Sequence, residues 1–531
     1  MTVAWTLGRR GRGAAFRLAA FLGLAVAATA SSAGEPLDLT LDEAIARSLE
    51  KSEGIVIERA GRDAAVAAMD GAHGAYDPLL GVSAGYGRSV APVNSSFSGA
   101  PEGEPAPTNE QLDGAASLSQ LLRTGGEVTV RTASSRAETN GAFGLLSPAY
   151  GSQVGLEFRQ PLLRDRSVDA ARLTLRVSAA DRDRAVASLR REVRDTVAAV
   201  EAAYWRLLAV HRVVEVGEET VRLAEEQLEQ TRLRIESGVA PEAEISQPLA
   251  ELERRRGDLL AAHEAVSRAE STLKFLILGD DEGDLWSRPV TLRDEAEVTP
   301  EGVDVVAEME RALATRAELD AAEAIVERRR AEAAFAADRT RPSLDLVLSY
   351  DRYGLTGSQN PVASSIPGLE GEVPPEFEGG WGSSFGALAD GDFDDRRIAL
   401  ELGLPIGNRT ARANVEIARA AERQAAADLT RFRKVIRTEV LDATATLETA
   451  RGRIEAARAA REAAEVQLSS ERDRYDAGLS TNFLVLTRQN DLAGARLSEI
   501  EALTDYLTAR AELARATGSL LAKHGIEVEE G

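Results

Sequence analysis

The chain has 531 residues, and its 86 Asp and Glu outnumber its 63 Lys and Arg, so that the formal net charge is −23. This acidic balance argues against binding to nucleic acid, which requires a basic surface. The chain contains no cysteine, which excludes disulfides, thiolate metal sites and an N-terminal lipid anchor on cysteine.

The first 33 residues have the features of a secretory signal peptide. Four arginines come before residue 18, an apolar stretch covers Leu18 to Ala28, and small residues at 31–33 form a cleavage site. We therefore expect residues 1–33 to be removed on export. After residue 33 no apolar run approaches the roughly 20 residues that a membrane-spanning helix needs. Only β-strands could then carry this chain through a bilayer.

The next part of the chain predicts one helix followed by strands. Leu39 to Ala72 is expected to be helical, because Thr40 and Glu43 have the spacing of a capping box. Apolar residues then alternate with small or polar ones, as in a strand with one apolar face. The predicted segments are a strand over 80–86, a loop over 91–109, a hairpin of 115–122 and 127–133 around Thr124-Gly125-Gly126, and a strand over 152–160.

Long helices dominate the remainder. Ser167 to Glu236 and Ala411 to Asp476 are almost free of Gly and Pro, and each would be roughly 100 Å long as a helix. Their apolar residues recur every three or four positions, which predicts a left-handed coiled coil. The other predicted elements are helices over 245–277 and 303–337, strands over 343–350 and 397–404, and a last helix after Gly478.

The chain also repeats itself. Arg234-Ile235-Glu236-Ser237-Gly238-Val239 returns 240 positions later as Arg474-Tyr475-Asp476-Ala477-Gly478-Leu479. Pro78 to Tyr86 is echoed by Pro342 to Tyr350, and Gly155 to Leu162 by Ala399 to Ile406. This period is too long for a solenoid unit. It indicates a two-fold internal repeat, with halves at about 34–299 and 300–531.

Two interpretations account for strands and coiled coils in one exported chain. Each group of strands has open edges, which a membrane does not tolerate, so several copies would have to close a barrel. Long polar loops at one end of the strands and short connections at the other are typical of outer-membrane barrels. The alternative is a periplasmic structural coiled-coil scaffold whose strands form only a docking sheet. Tyr86, Tyr150 and Tyr350 would suit either an interfacial belt or ordinary sheet packing.

Several segments resemble the TolC-like outer-membrane efflux protein family, over essentially the whole exported chain. Leu39 to Ile45 is similar to the opening helix of that family, and Val200 to Trp205 to a segment of its first long helix. Gln160-Pro161-Leu162 and Leu404-Pro405-Ile406 resemble its strand-to-helix junctions. Arg474 to Leu479 resembles the turn at its periplasmic tip.

The resemblance implies a mixed α+β membrane protein: a homotrimeric β-barrel in the outer membrane, continued by an α-helical coiled-coil barrel in the periplasm. One domain, 34–531, would hold barrel strands and loops at about 78–160 and 342–405, and the tunnel at about 166–278 and 410–523. The family has four strands per protomer; the hairpin within 115–133 is extra, and we expect it to enlarge the barrel to six.

The resemblance also implies a function and partners. The protein would be the outer-membrane exit duct of a tripartite efflux or type I secretion system. It would work with a periplasmic adaptor, an inner-membrane pump of the RND or ABC type and outer-membrane lipid, and without cofactor or nucleic acid. The cargo is left open among drugs, metals and proteins. Enzymatic activity is not expected, because the four histidines (His73, His211, His263 and His524) lie outside any catalytic or metal-binding constellation.

The site residues are carried over from the resemblance. The adaptor would contact two turns, Ser237-Gly238-Val239 and Ala477-Gly478-Leu479, although each glycine also fits a simple helix C-cap. The periplasmic gate or latch positions fall on Glu244, Gln247, Tyr475, Ser480, Leu484 and Thr487. In the family, an arginine stands at the position of Ser480 and aspartates at those of Leu484 and Thr487. We therefore expect a more apolar constriction, less sensitive to blocking cations.

Overall fold

The computed structural model describes residues 36–92, 99–101, 103–298, 302–362 and 372–528. The predicted signal peptide, 1–33, lies outside the described residues. None of the helices in these ranges combines the length and the apolar composition needed to span a membrane.

The strands form two sheets of very different size. Six antiparallel strands make one sheet in the order β2-β3-β4-β5-β7-β8, and β1 pairs in parallel with β6 in a separate ribbon. The strands are β1 (Leu37–Leu39), β2 (Leu79–Val90), β3 (Thr108–Leu121), β4 (Glu127–Thr139), β5 (Leu146–Pro161), β6 (Val290–Leu292), β7 (Ser343–Gln359) and β8 (Asp394–Gly403).

Ten helices are assigned in the described part of the chain. They are α1 (Leu41–Lys51), α2 (Glu53–His73), α3 (Ala170–Glu236), α4 (Ser246–Ile277), α5 (Val305–Thr315), α6 (Ala317–Asp338), α7 (Trp381–Asp390), α8 (Arg409–Asp476), α9 (Asn482–Thr517) and α10 (Leu520–Lys523). With 67 and 68 residues, α3 and α8 are each about 100 Å long. Helices α4 and α9 return along them, and α3 also packs against α9.

The predicted hairpin is longer than expected and belongs to the large sheet. Its strands, β3 and β4, begin and end about seven residues beyond the predicted limits at the loop end, and β3 pairs with β2 while β4 pairs with β5. The extension escaped sequence analysis because Thr108 to Gly114 is polar and shows no apolar alternation. Backbone pairing to Ser89 and Thr139 holds this segment regardless of side chain.

Two predicted helices are each broken once. The helix expected over 39–72 divides at Ser52, whose side chain accepts a hydrogen bond from the Ile55 N–H and caps α2. The capping box at its start is confirmed, with Thr40 and Glu43 bonded reciprocally at 2.9 and 3.2 Å. The helix expected over 303–337 divides at Arg316, where the backbone becomes extended.

The main core lies at the middle of the long helices, where β1, β6 and the short helices surround them. Tyr204, Leu273, Ile277 and Ile436 are fully buried there. The Tyr204 hydroxyl donates to the Asp294 carboxylate at 2.5 Å, and burial raises the pKa of this phenol. Towards the tips the core shrinks to small clusters such as Ala464, Leu468, Val485 and Leu492. The helical hairpins are therefore most firmly held near the middle of α3 and α8 and least firmly at the tips.

Candidate functional site

The two tip turns have the same backbone structure. In the first, Gly238 has φ +73°, its N–H donates to the Ile235 carbonyl and the Val239 N–H donates to the Arg234 carbonyl, both at 2.9 Å. Gly478, with φ +75°, and Leu479 repeat this pattern in the second turn. This is a Schellman motif, in which glycine tolerates the left-handed conformation. The apolar side chains of Val239 and Leu479 project from the tips and are exposed.

A polar contact joins the two helical hairpins just above the turns. The Arg234 guanidinium of α3 donates a hydrogen bond to the Tyr475 hydroxyl of α8, and it also lies 5.4 Å from the centre of the Tyr475 ring. About two turns further up, the Gln227 amide bonds to Asn482 at the start of α9. Both contacts tie the first hairpin to the second within one protomer.

The predicted gate residues occupy different environments. Glu244, in the 3-10 turn just before α4, and Gln247, in its first turn, are exposed. Within the described chain Tyr475 is bonded to Arg234 rather than to either of them. Ser480 bonds to Glu471. The structure therefore brings Tyr475 into an interhelical contact and leaves Glu244 on the surface of a single protomer.

Leu484 and Thr487 lie on the first turns of α9, beyond the tip turn. Leu484 is exposed, and the Thr487 hydroxyl is bonded to the Phe483 carbonyl at 2.8 Å. Val485 and Leu486, between them, are buried. Leu484 thus projects from the side of α9 that does not pack within the protomer, Thr487 is half-buried, and neither carries a charge.

One face of the large sheet is mainly apolar. The register aligns Leu80, Leu118, Val130, Leu156 and Tyr350 in one row across five strands. Other members of this face are Val82, Val154, Phe158, Leu346, Leu348, Ile398, Leu400 and Leu402. Most of these side chains are exposed in the single protomer. A contiguous apolar surface of this size marks an interaction site or a membrane contact.

The opposite face is polar and carries an ion-pair network. Arg131 of β4 reaches across Gly155 of β5 and binds both carboxylate oxygens of Asp351 on β7, at 2.9 and 2.8 Å. It also pairs with Glu157 at 3.1 Å, and Gln153 donates to Asp351 at 3.0 Å. A methyl group on Gly155 would lie 2.0 Å from the Asp351 carboxylate. Glycine at this position is therefore required for the network to form.

The large sheet has an unpaired strand at each edge. β2 pairs only with β3 and β8 only with β7. All twelve residues of β2 are exposed, and no residue of β8 is buried. Each edge leaves a row of backbone N–H and C=O groups available for pairing with another chain.

Sequence analysis missed Arg234, Gln227 and Asn482 as contact residues. Arginine stands four residues before the glycine in both repeats, which marks a repeated position. The pattern could not show that only the first of the two faces Tyr475, because that depends on how α3 lies against α8. Clustered acidic, histidine or cysteine side chains suited to a metal ion are absent from the described ranges.

Comparison with known proteins assigns a family to this architecture. The family model described as "Outer membrane efflux protein" matches residues 127–279 and 309–519, which is well over half of the chain. A comparison with curated proteins found no match.

Solved structures of the same fold cover nearly the whole chain. A membrane protein from Pseudomonas aeruginosa is 20% identical with a TM-score of 0.60, over 90% of this chain and 93% of that one. The Vibrio cholerae outer membrane protein VceC is 16% identical with a TM-score of 0.60, over 90% and 96%. The Campylobacter jejuni CmeC outer membrane channel is 14% identical with a TM-score of 0.60, over 90% and 86%.

Proposed function

The chain belongs to the outer membrane efflux protein family, and from that premise we propose that three copies of it form the outer-membrane exit duct of an export system. The observation that carries this proposal is the six-stranded sheet with two unpaired edges and one mainly apolar face. A sheet of this kind becomes stable in a membrane only when its edges are paired, because the bilayer core offers no hydrogen bonds.

The proposed barrel has eighteen strands, six from each protomer, with β2 of one copy against β8 of the next. The apolar face would then contact lipid, and the Arg131–Asp351 network would line a water-filled lumen. This orientation matches the general pattern of outer-membrane barrels, which are apolar outside and polar inside. The extra hairpin, β3 and β4, would enlarge the barrel beyond the four strands per protomer that the resemblance implies.

The helices would continue the lumen as a tunnel into the periplasm. α3 and α8 leave the sheet and run to the tips, where the turns at Gly238 and Gly478 would meet a periplasmic adaptor. The exposed Val239 and Leu479 supply apolar contact surface for that partner. The adaptor would connect the duct to an inner-membrane pump, of a tripartite efflux or type I secretion system. The duct itself performs no chemistry.

The first test is the detergent-corrected mass of the protein extracted from the outer membrane of a two-membrane host. A trimer supports the duct. A monomer or dimer in the soluble periplasm would favour the alternative, a coiled-coil scaffold whose strands never close.

The strand pairing can be tested by cross-linking, because the chain has no cysteine. Ser83 on β2 and Ala399 on β8 both lie on the polar face. Cysteines at these two positions, or at Ser83 and the neighbouring Glu401, are expected to form disulfides that link three chains. Cysteines at Ser83 and Ile398 serve as the control, because Ile398 lies on the opposite face. Linkage of the control pair alone would contradict the proposed edge contact.

A tip gate forms the second part of the proposal. The Arg234–Tyr475 contact would hold the two hairpins of a protomer together in the resting duct, and Leu484 and Thr487 would line an uncharged constriction. Channel conductance in planar bilayers tests both points. Y475F is expected to raise the open fraction, and trivalent cations are expected to have little effect on the natural channel. The double variant L484D/T487D is expected to become sensitive to those cations; block of the natural channel at the same low concentration would contradict the uncharged constriction.

A further inference from the structure

The short helix α7 lies on the apolar face of the large sheet. The Trp381 indole N–H donates to the Ser134 hydroxyl at 2.6 Å, and the hydroxyls of Ser384 and Ser152 are 2.5 Å apart. Ser134 and Ser152 are paired directly in the sheet and share their face with Val130 and Leu156. α7 is therefore on the side opposite to the Arg131–Asp351 network.

A glycine in the sheet, Gly354, allows this helix to pack closely against it. A Cβ atom on Gly354 of β7 would lie 2.0 Å from the Ser384 carbonyl oxygen, so that only glycine allows α7 to approach this closely. Ser384 and Leu388 are buried against the strands. At the other end of the helix, Arg352 donates to the Leu388 carbonyl at 3.1 Å. These contacts satisfy the polar groups of an otherwise apolar face and fix one position for α7.

The outer surface of the docked segment is apolar and aromatic. Trp381, Phe385 and Phe393 are 40%, 45% and 44% exposed. The helix carries one charged residue, Asp390, at its C-terminal end. In outer-membrane barrels, girdles of aromatic residues flank the apolar band at both membrane interfaces.

The position of α7 on the sheet indicates which surroundings its exposed side faces. It packs on β5 and β7 and bonds to β4, which are inner strands of the sheet and not its two edges. Its apolar surface continues that of Val154 and Leu156 towards the loop end of the sheet. Arg396, Arg352 and Arg136 share this face in the rows of Leu156, Val154 and Tyr150, so charged side chains enter the apolar face from the row of Leu156 towards the loop end.

We propose that α7 is an interfacial helix that rests in the outer leaflet of the outer membrane, with Trp381, Phe385 and Phe393 inserted among the acyl chains just below the headgroups. The inference rests on the proposed function, because it requires the apolar face of the sheet to contact lipid. The helix would anchor the loop between β7 and β8 at the membrane surface and keep the barrel at a fixed depth.

The test uses single cysteines that carry an environment-sensitive fluorophore. Purified protein is reconstituted into phosphatidylethanolamine and phosphatidylglycerol vesicles that hold nitroxide-labelled lipids, with the nitroxide either near the headgroup or near the end of the acyl chain. F385C reports on α7, L156C on the apolar face of β5, and Q111C on the polar face of β3. We expect the F385C label to be quenched most strongly by the shallow nitroxide, the L156C label by both lipid quenchers, and the Q111C label only by an aqueous quencher.

The quenching results distinguish failure of the interfacial helix from failure of the barrel. If the F385C label responds only to the aqueous quencher while the L156C label responds to lipid, the interfacial helix is wrong and the barrel is retained. If the L156C label does not respond to lipid, the barrel itself is wrong. G354V places a side chain where α7 packs on the sheet, and is expected to reduce shallow quenching at F385C but not at L156C. Its control is G114V, on the same face of the sheet, where an added Cβ meets nothing within 4 Å. Unchanged quenching of F385C in G354V would overturn the docked position of α7.

Discussion

Replacing Glu318 tests how the long helices are held together near their middle. This carboxylate binds two arginines from different elements, Arg194 of α3 at 2.7 Å and Arg316, between α5 and α6, at 2.9 Å. The side chains of Arg194 and Arg316 are only 5% and 3% exposed. Arg316 also bonds to Glu439 of α8 and to the Ala516 carbonyl of α9. The network therefore connects three of the four longest helices, α3, α8 and α9, through Glu318 of α6.

The substitution Glu318→Ala leaves two buried guanidinium groups without their common partner. Removal of one partner from a buried ion pair costs about 3–5 kcal/mol. Arg194 still pairs with Asp195, and Arg316 still pairs with Glu439. We therefore expect the free energy of unfolding to fall by an amount near the lower end of this range, about 3 kcal/mol. The conservative Glu318→Gln keeps the size of the side chain and loses only the charge, so its loss should be smaller.

The same network predicts a dependence on pH. Burial opposes ionisation of Glu318, but hydrogen bonds from Arg194 and Arg316 outweigh it and hold the pKa of the carboxyl well below its usual range. A carboxyl whose pKa is lowered by folding contributes stability above its unfolded pKa, about 4.3, and loses it as the pH falls through the folded value. The difference in stability between the natural protein and Glu318→Gln should therefore stay constant from neutral pH to about 5 and shrink only in stronger acid.

Thermal unfolding of the purified protein in detergent, followed by circular dichroism, measures the effect. The matched control is Glu323→Ala, on the same helix, because the Glu323–Arg433 pair at 2.9 Å is about half exposed on both sides. Such a surface pair contributes about 0–1 kcal/mol. Equal unfolding temperatures for Glu318→Ala and Glu323→Ala would refute the role given to the buried network.

Three further predictions concern a turn, the core and a buried hydroxyl. Gly478→Ala should destabilise the tip by about 1–2 kcal/mol, because Gly478 has a positive φ. Gly452→Ala, within α8 and with nothing near the added Cβ, should instead stabilise that helix by up to about 1 kcal/mol. Hydrogen exchange of the tip amides should therefore speed up in the first variant only. Leu273→Ala should cost about 2–5 kcal/mol by leaving a cavity, and an unchanged thermal midpoint would contradict its place in the core. Tyr204→Phe removes a donor to Asp294 and should cost about 1–3 kcal/mol, measured in the same melts; a stability equal to the natural protein would mean that water replaces the hydroxyl.

The limits of sequence analysis are clearest in the strands and at the tips. Apolar alternation predicted the part of each strand that carries the apolar face, and it missed the polar end of β3, where the backbone ladder alone holds the chain. The Gly turns were predicted from their repeated sequence and have the expected left-handed glycine. The contact of Arg234 with Tyr475 was not predicted, because helical periodicity describes the face of one helix and not the position of its neighbour.

The sequence by itself determined the local elements: which segments are long helices, which strands have one apolar face, and where glycine ends a helix. These features depend on the spacing of residues close together in the chain, and spacing can be read directly. Only the tertiary structure decided that Gly155 lets Arg131 reach Asp351, that Arg316 is buried among three helices, and that Gly354 seats α7 against the sheet. Each of these contacts joins residues more than a hundred positions apart or depends on the close approach of two elements, so its energy is set by packing that no local pattern contains.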